Sequence, residues 1–182
     1  MYAKAAHAAV GQKRKYTGED YIVHPVAVAC IVGSVGHTPE MLAAALLHDT
    51  VEDTNATIEE IKSLFGERVS NLVGWLTDVS GPDDGNRTAR KAMDRDHIAR
   101  APAAAQTIKL ADLIDNTASI VTHDLKFAAV YLKEKAALLD VLKEGEPGLW
   151  RRANETLQAG LVSLGDRSTL ASSGTCEMTW VQ

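Results

Sequence analysis

Along most of this chain apolar residues recur three and four positions apart, and alternating runs of Val, Ile and Thr are nearly absent. That spacing predicts an all-α fold. Tyr2 to Val10 reads as a short helix broken at Gly11, and the polar stretch QKRKYTGEDYIVH then runs as a loop to Pro25, which suits the first turn of the next helix. Thr38 is placed to N-cap a helix whose body is MLAAALLHDTVED. Thr57 with Glu60 forms a capping-box pattern, and the helix it opens stops at Gly66. Glu67 to about Thr77 continues as an amphipathic helix, and GPDDGN at 81–86 is the most turn-like segment. Helices are then expected from about Thr88 to Ala99, from Pro102 through IKLADLIDNTASIV, from Leu125 to Lys143 and from about Pro147 to Leu164. With no fixed repeat and no long linker, residues 1–165 read as a single helical bundle. Residues 166–182 lose the periodicity and read as a tail.

A chain of 182 residues with 46% hydrophobic and 24% charged content can bury a core of its own. Its charge is 19 − 24 = −5, with no dense basic run, which argues against polymeric nucleic acid as a partner. Cys30 and Cys176 form no CxxC pair, so neither a disulfide framework nor a zinc knuckle is expected. The first fifteen residues lack a continuous apolar core, and no stretch approaches the roughly 18 apolar residues of a membrane span. A soluble, cytoplasmic protein without a membrane partner is the expectation. A homo-oligomer is left open, with Trp75, Trp150 and Trp180 as core or interface residues.

The segment HDTVED, residues 48–53, ends an otherwise apolar helix. In a continuous helix His48 and Glu52 are four apart, as are Asp49 and Asp53, so the four side chains form a polar wedge. Crowded carboxylates repel one another, and a divalent cation relieves that repulsion; imidazole with carboxylates suits Mn²⁺, Fe²⁺ or Zn²⁺. The plainer reading is a helix ending in water with solvated acids. In KLADLIDN, Lys109, Asp112 and Asn116 share one face at spacings of three and four, as they also would in an ordinary amphipathic helix. His24, before Pro25, reads on its own as a capping or packing residue, and Lys13, Arg14 and Lys15 as a solvated edge suited to phosphates.

In order and spacing, HxxxGQKRKYTGxxYIxHPxxVA (7–29), ALLHDTVEDT (45–54), FGERVSNLV (65–73) and KLADLIDN (109–116) resemble the HD-domain hydrolases of RelA/SpoT type, and more closely the small alarmone hydrolases and metazoan SpoT homologues. The resemblance spans roughly residues 4 to 160 and implies a single HD-domain bundle that hydrolyses the 3′-pyrophosphate of ppGpp or pppGpp to GDP or GTP. It implies one metal, usually Mn²⁺, held by His24, His48, Asp49 and Asp112, with Glu52 and Asp53 activating or orienting water. Arg14, Lys15, Asn116 and Tyr131 match residues around the nucleotide, with Lys109 a further phosphate contact. The small-molecule partner is thus a nucleotide. Leu113, Ile114 and Asp115 depart from the usual basic or aromatic residues of that segment, which leaves base and phosphate preference open, an adenosine alarmone included. The resemblance to the metazoan homologues also allows the 2′-phosphate of NADPH as substrate, and the intact His48-Asp49 and Glu52-Asp53 pairs argue against a nucleotide-binding regulator without turnover. Asp115 is expected to change the charge that the substrate meets.

Overall fold

Helix α8, Ala103–His123, is the axis of the molecule, because its apolar residues lie on enough of its circumference to be covered on several sides. Ile108, Leu110, Ala111, Leu113 and Ile114 are all buried. In the computed structural model, which describes residues 1–172 and side chains through residue 165, α8 packs against α2 (Val23–Gly33), α3 (Pro39–Leu47), α6 (Glu67–Leu76), α9 (Leu125–Leu139) and α10 (Pro147–Ser172). The shorter elements are α1 (Tyr2–Ala9), α4 (Thr50–Asp53), α5 (Ile58–Phe65) and α7 (Arg87–Ile98). The expected all-α bundle is what forms; among the described residues extended pairing is limited to one bridge between Lys13 and Asp20. No described helix is long and apolar enough to cross a membrane.

The local signals act as the sequence suggests. Thr38 accepts from the Met41 amide, Thr57 from the Glu60 amide, and Asn86 from the Ala89 amide, which starts α7 one residue before the expected Thr88. Gly66, at φ 88°, ends α5 in a conformation that favours glycine.

Three boundaries differ. The helix read as continuous through MLAAALLHDTVED breaks at His48–Asp49, where His48 Nδ1 donates to the Ala45 carbonyl and Thr50 Oγ1 to the Leu47 carbonyl. Side chains thus take carbonyls that the next turn would have used. Helix α9 ends at Leu139, not Lys143, because other helices satisfy the backbone beyond it: Trp150 Nε1 donates to the Leu139 carbonyl and the Glu144 amide to Gln106 Oε1. Helix α10 runs on to Ser172, so the expected boundary at 165 falls inside it; the rest of the expected tail, with Cys176 and Trp180, lies outside the described residues.

Asp94 on α7 pins the segment before the 81–86 turn. Its carboxylate accepts from the amides of Val79 and Ser80, from the Ser80 hydroxyl and from Lys91. Burial opposes the charge, yet these bonds and Lys91 hold its carboxyl below the usual range. Asp94→Ala is expected to destabilise the fold by about 2–4 kcal/mol, since it strands two backbone donors. Because the folded-state pKa is depressed, the contribution is present above the unfolded carboxylate range near pH 4 and is lost as pH falls through the folded value. Denaturant titrations of both proteins should therefore separate at neutral pH and converge in acid.

Candidate metal and nucleotide site

His24 stands in the first turn of α2, His48 and Asp49 at the break between α3 and α4, and Asp112 mid-way along α8. Packing of α2 and α3 on α8 brings them together. Ligand atoms of His24, His48 and Asp49 all lie within 4.8 Å of one another. From α8, Asp112 Oδ1 approaches the Nε2 atoms of His24 and His48 at 3.3 and 3.9 Å, while Asp49 Oδ2 lies 3.6 and 3.1 Å from the same two atoms.

The tautomers follow from the outer partners. His24 Nδ1 donates to Asp115 Oδ2 at 2.6 Å, and His48 Nδ1 donates to the Ala45 carbonyl at 2.8 Å. Both acceptors lack a proton to give, so each neutral ring turns an Nε2 lone pair toward carboxylates. Both Nε2 atoms are buried without a hydrogen-bond partner. Two lone pairs facing two carboxylates need a positive charge between them, and this donor set fits a divalent cation. In its absence protons serve: burial works against charging His24, but the adjoining Asp112 and Asp115 carboxylates hold it up to about 9. Burial likewise opposes ionisation of Asp49 and Asp112, and His48 and Lys109 respectively keep them below the usual carboxylate range.

A cleft of about 490 Å³ opens over this cluster and is lined by α4, α6, α7, α8 and α9. Glu52, Asp53, Lys109, Asn116 and Tyr131 all line it. The break after α3 separates the HDTVED acids that a continuous helix would have stacked in one wedge. Glu52 Oε2 accepts from the Asp78 amide at 3.3 Å, and Asp53 Oδ2 from Gln12 Nε2 at 2.8 Å. Desolvation by the cleft walls and then the charge of Asp78 push the Glu52 carboxyl up to about 7. Lys109 Nζ lies 3.0 Å from Asp112 Oδ2, and Asn116 Nδ2 donates to Asp112 Oδ1 at 2.6 Å. Tyr131 is buried, its hydroxyl 3.4 Å from Thr117 Oγ1.

The two basic loop residues sit outside that lining. Arg14 reaches Asp115 and Asn116 at 3.4 Å, and Lys15 reaches Asp124 at 3.3 Å. Asp115 is turned toward His24 and Arg14, so its charge is spent behind the cluster and not in the cleft, contrary to the sequence expectation.

Other participants carried no signal of their own in the sequence. Tyr21 donates to Asp49 Oδ2 at 2.6 Å, and His7 Nδ1 lies 2.6 Å from Gln12 Oε1, behind the Gln12–Asp53 contact. Tyr21 falls in the YIxHP segment and His7 opens the HxxxGQ segment, so position was the only clue. Arg87, Lys91, Glu134 and Lys135 line the cleft from α7 and α9, where the sequence shows only ordinary charged helices. Of the tryptophans, Trp75 lines the cleft beside His97, and Trp150 fastens α10 to the end of α9.

Comparison with known proteins bears on the family and the fold. A family model described as HD domain matches residues 1–157. Among curated relatives, the guanosine-3′,5′-bis(diphosphate) 3′-pyrophosphohydrolase of Aquifex aeolicus is 49% identical over 78 residues, 43% of this chain and 11% of that protein. The enzyme of the same printed name, MESH1 of Danio rerio, is 39% identical over 101 residues, 54% of each chain. The chain thus spans between about a tenth and about half the length of these relatives. A solved structure of a metazoan SpoT ortholog, described as hydrolysing ppGpp, superposes with a TM-score of 0.77 at 29% identity, covering 87% of this chain and 90% of that one. A Listeria monocytogenes structure, lmo0812, gives 0.65 at 25% identity over 79% of this chain and 99% of that one.

Proposed function

This chain belongs to the HD-domain family, and from that premise we propose that it is a metal-dependent phosphohydrolase that cleaves the 3′-diphosphate from ppGpp or pppGpp. The observation that carries the reading is the pair of buried, unpartnered Nε2 atoms facing Asp49 and Asp112 at the base of a nucleotide-sized cleft. The relatives named for this reaction and the similar fold of the SpoT ortholog support it.

His24, His48, Asp49 and Asp112 would hold the metal, with Mn²⁺ well suited to two imidazoles and two carboxylates. When bound, such an ion supplies Lewis acidity toward phosphoryl oxygen and a more acidic water. The protein's own part is to place and deprotonate the attacking water. Glu52, with a pKa near 7, accepts the water's proton as its oxygen attacks the phosphorus bonded to the 3′ oxygen. The P–O bond to the nucleoside breaks, the 3′ oxygen leaves with the nucleotide and is protonated to the 3′-hydroxyl by the proton that Glu52 took up, and one water is consumed per pyrophosphate released. Asp53, held by Gln12, orients the water. Lys109 neutralises charge at the cleft floor, Asn116 fixes Asp112, and Tyr131 forms part of the nucleotide wall. Arg14 braces Asp115 and Asn116, and Lys15 lies at the rim for an incoming phosphate.

The test is pyrophosphate release from ppGpp by purified protein with Mn²⁺, against the same sample stripped with EDTA. Metal-dependent release is expected. No release from protein holding one equivalent of Mn²⁺ would move the substrate to an adenosine alarmone or the 2′-phosphate of NADPH, and no turnover of any would make the chain a nucleotide-binding regulator.

The Asp115–His24 hydrogen bond carries its own expectation. A carboxylate behind a ligating imidazole fixes the ring and raises its basicity. Asp115→Asn should weaken Mn²⁺ affinity by about 10–100-fold in a competitive chelator titration. Unchanged affinity would reduce Asp115 to a partner for Arg14.

A further inference from the structure

Three lysines of the described residues are half-buried, and all three line the cleft. Two are answered by acids: Lys91 by Asp78 and Asp94, and Lys109 by Asp112. Arg87 on the same wall is held by Glu134 in a two-pronged pair at 2.7 and 2.9 Å. Among the described residues no carboxylate lies within ion-pair distance of Lys135, in contrast to Lys91 and Lys109. It stands one turn beyond Tyr131 on α9, with Nζ 4.9 Å from the centre of the Tyr131 ring. A tyrosine face steadies an ammonium but does not neutralise it. Burial, and then repulsion from Lys109, draws the Lys135 ammonium down to about 8.

A half-buried cation without a counter-ion is costly, and the cost is recovered when an anion arrives. Lys135 lines the same cleft as Asp49 and Asp112 but stands on α9, which contributes none of the four residues that would hold the metal. Substrates of the proposed reaction carry two phosphoryl chains, and only one is hydrolysed.

We propose that Lys135 binds the uncut, 5′-phosphoryl chain and so selects nucleotides phosphorylated at both ends of the ribose. This rests on the hydrolase reading above. Lys135 is a binding residue in this scheme, and it acts on ground-state and transition-state complexes alike, so its removal appears in KM.

The test compares wild type, Lys135→Met and Lys135→Arg on two substrates, ppGpp and guanosine 3′-diphosphate with a free 5′-hydroxyl. Methionine keeps the stem's packing without the charge, and melting temperatures check that the variants fold. For ppGpp, Lys135→Met should raise KM by about tenfold or more while kcat changes by less than about threefold, and arginine should restore KM. For the 5′-hydroxyl substrate KM should stay as in wild type. An unchanged KM for ppGpp, or an equal rise for both substrates, would overturn the assignment. Calorimetric binding of GDP, which carries the 5′-diphosphate alone, separates this from failure of the hydrolase reading. Were the wild type to turn over neither substrate, the hydrolase reading would fall, and the assignment would still stand or fall on whether Lys135→Met weakens GDP by about tenfold or leaves it unchanged.

Discussion

An Asp112→Ala protein is expected to purify without bound metal and to lose hydrolysis of ppGpp by about 10³-fold or more. Asp112 contributes in three directions: Oδ1 faces His24 and His48, the same atom accepts from Asn116, and Oδ2 pairs with Lys109. Deletion therefore also leaves Lys109 half-buried without its partner. Breaking a buried pair from one side costs about 3–5 kcal/mol, and the lower end applies because Asp78, Glu52 and Asp49 also act on Lys109. Elemental analysis of the purified variant, with melting curves recorded in EDTA, reads both effects. One equivalent of metal retained at wild-type affinity would remove Asp112 from the ligand set.

Glu52→Gln should behave in the opposite way with respect to metal. Glu52 is not among the clustered ligands His24, His48 and Asp49, and it accepts a hydrogen bond from the Asp78 amide, which glutamine can keep. Metal content should stay at the wild-type value while turnover falls by about 10²–10⁴-fold, the range for loss of a positioned base. In the wild type kcat should rise as pH passes through about 7, since the base must be ionised, and the variant should lack that limb. A variant with wild-type turnover would transfer the proton-accepting role away from Glu52. Asp53→Asn should have the smaller effect, because Gln12 can reorient its amide to meet the new side chain.

The helical architecture was legible because its signals are local. Thr38, Thr57 and Gly66 cap or stop helices through contacts within four residues, and such contacts can be read from spacing. The break at His48–Asp49 could not be, because it depends on side chains of His48 and Thr50 turning back onto their own helix. The early end of α9 depends on Gln106 and Trp150, which are remote in sequence. At the candidate site, His48, Asp49 and Asp112 stand out as polar residues on apolar helices, whereas His24 acquires meaning only when α2 packs on α8. The place of Asp115 beside Asn116 points to the substrate side, yet a single-residue step around a helix is enough to turn it toward His24 instead. Lys135 carried no signal, since one lysine among several on a charged helix says nothing of which carboxylates will be near.

The dependence of the cluster on α8 also bears on how the chain reaches its native state. His24 precedes His48 by 48 − 24 = 24 residues, and Asp112 follows Asp49 by 112 − 49 = 63. The helices themselves need only neighbouring residues and can form early, and α2 packs directly on α3, but closing the longer loop requires the long axis helix to be in place. During vectorial synthesis the imidazoles emerge well before Asp112, so the amino-terminal half alone cannot offer the full donor set. Metal capture then reports on completion of the bundle, and the ion rewards the native arrangement only after topology has been decided.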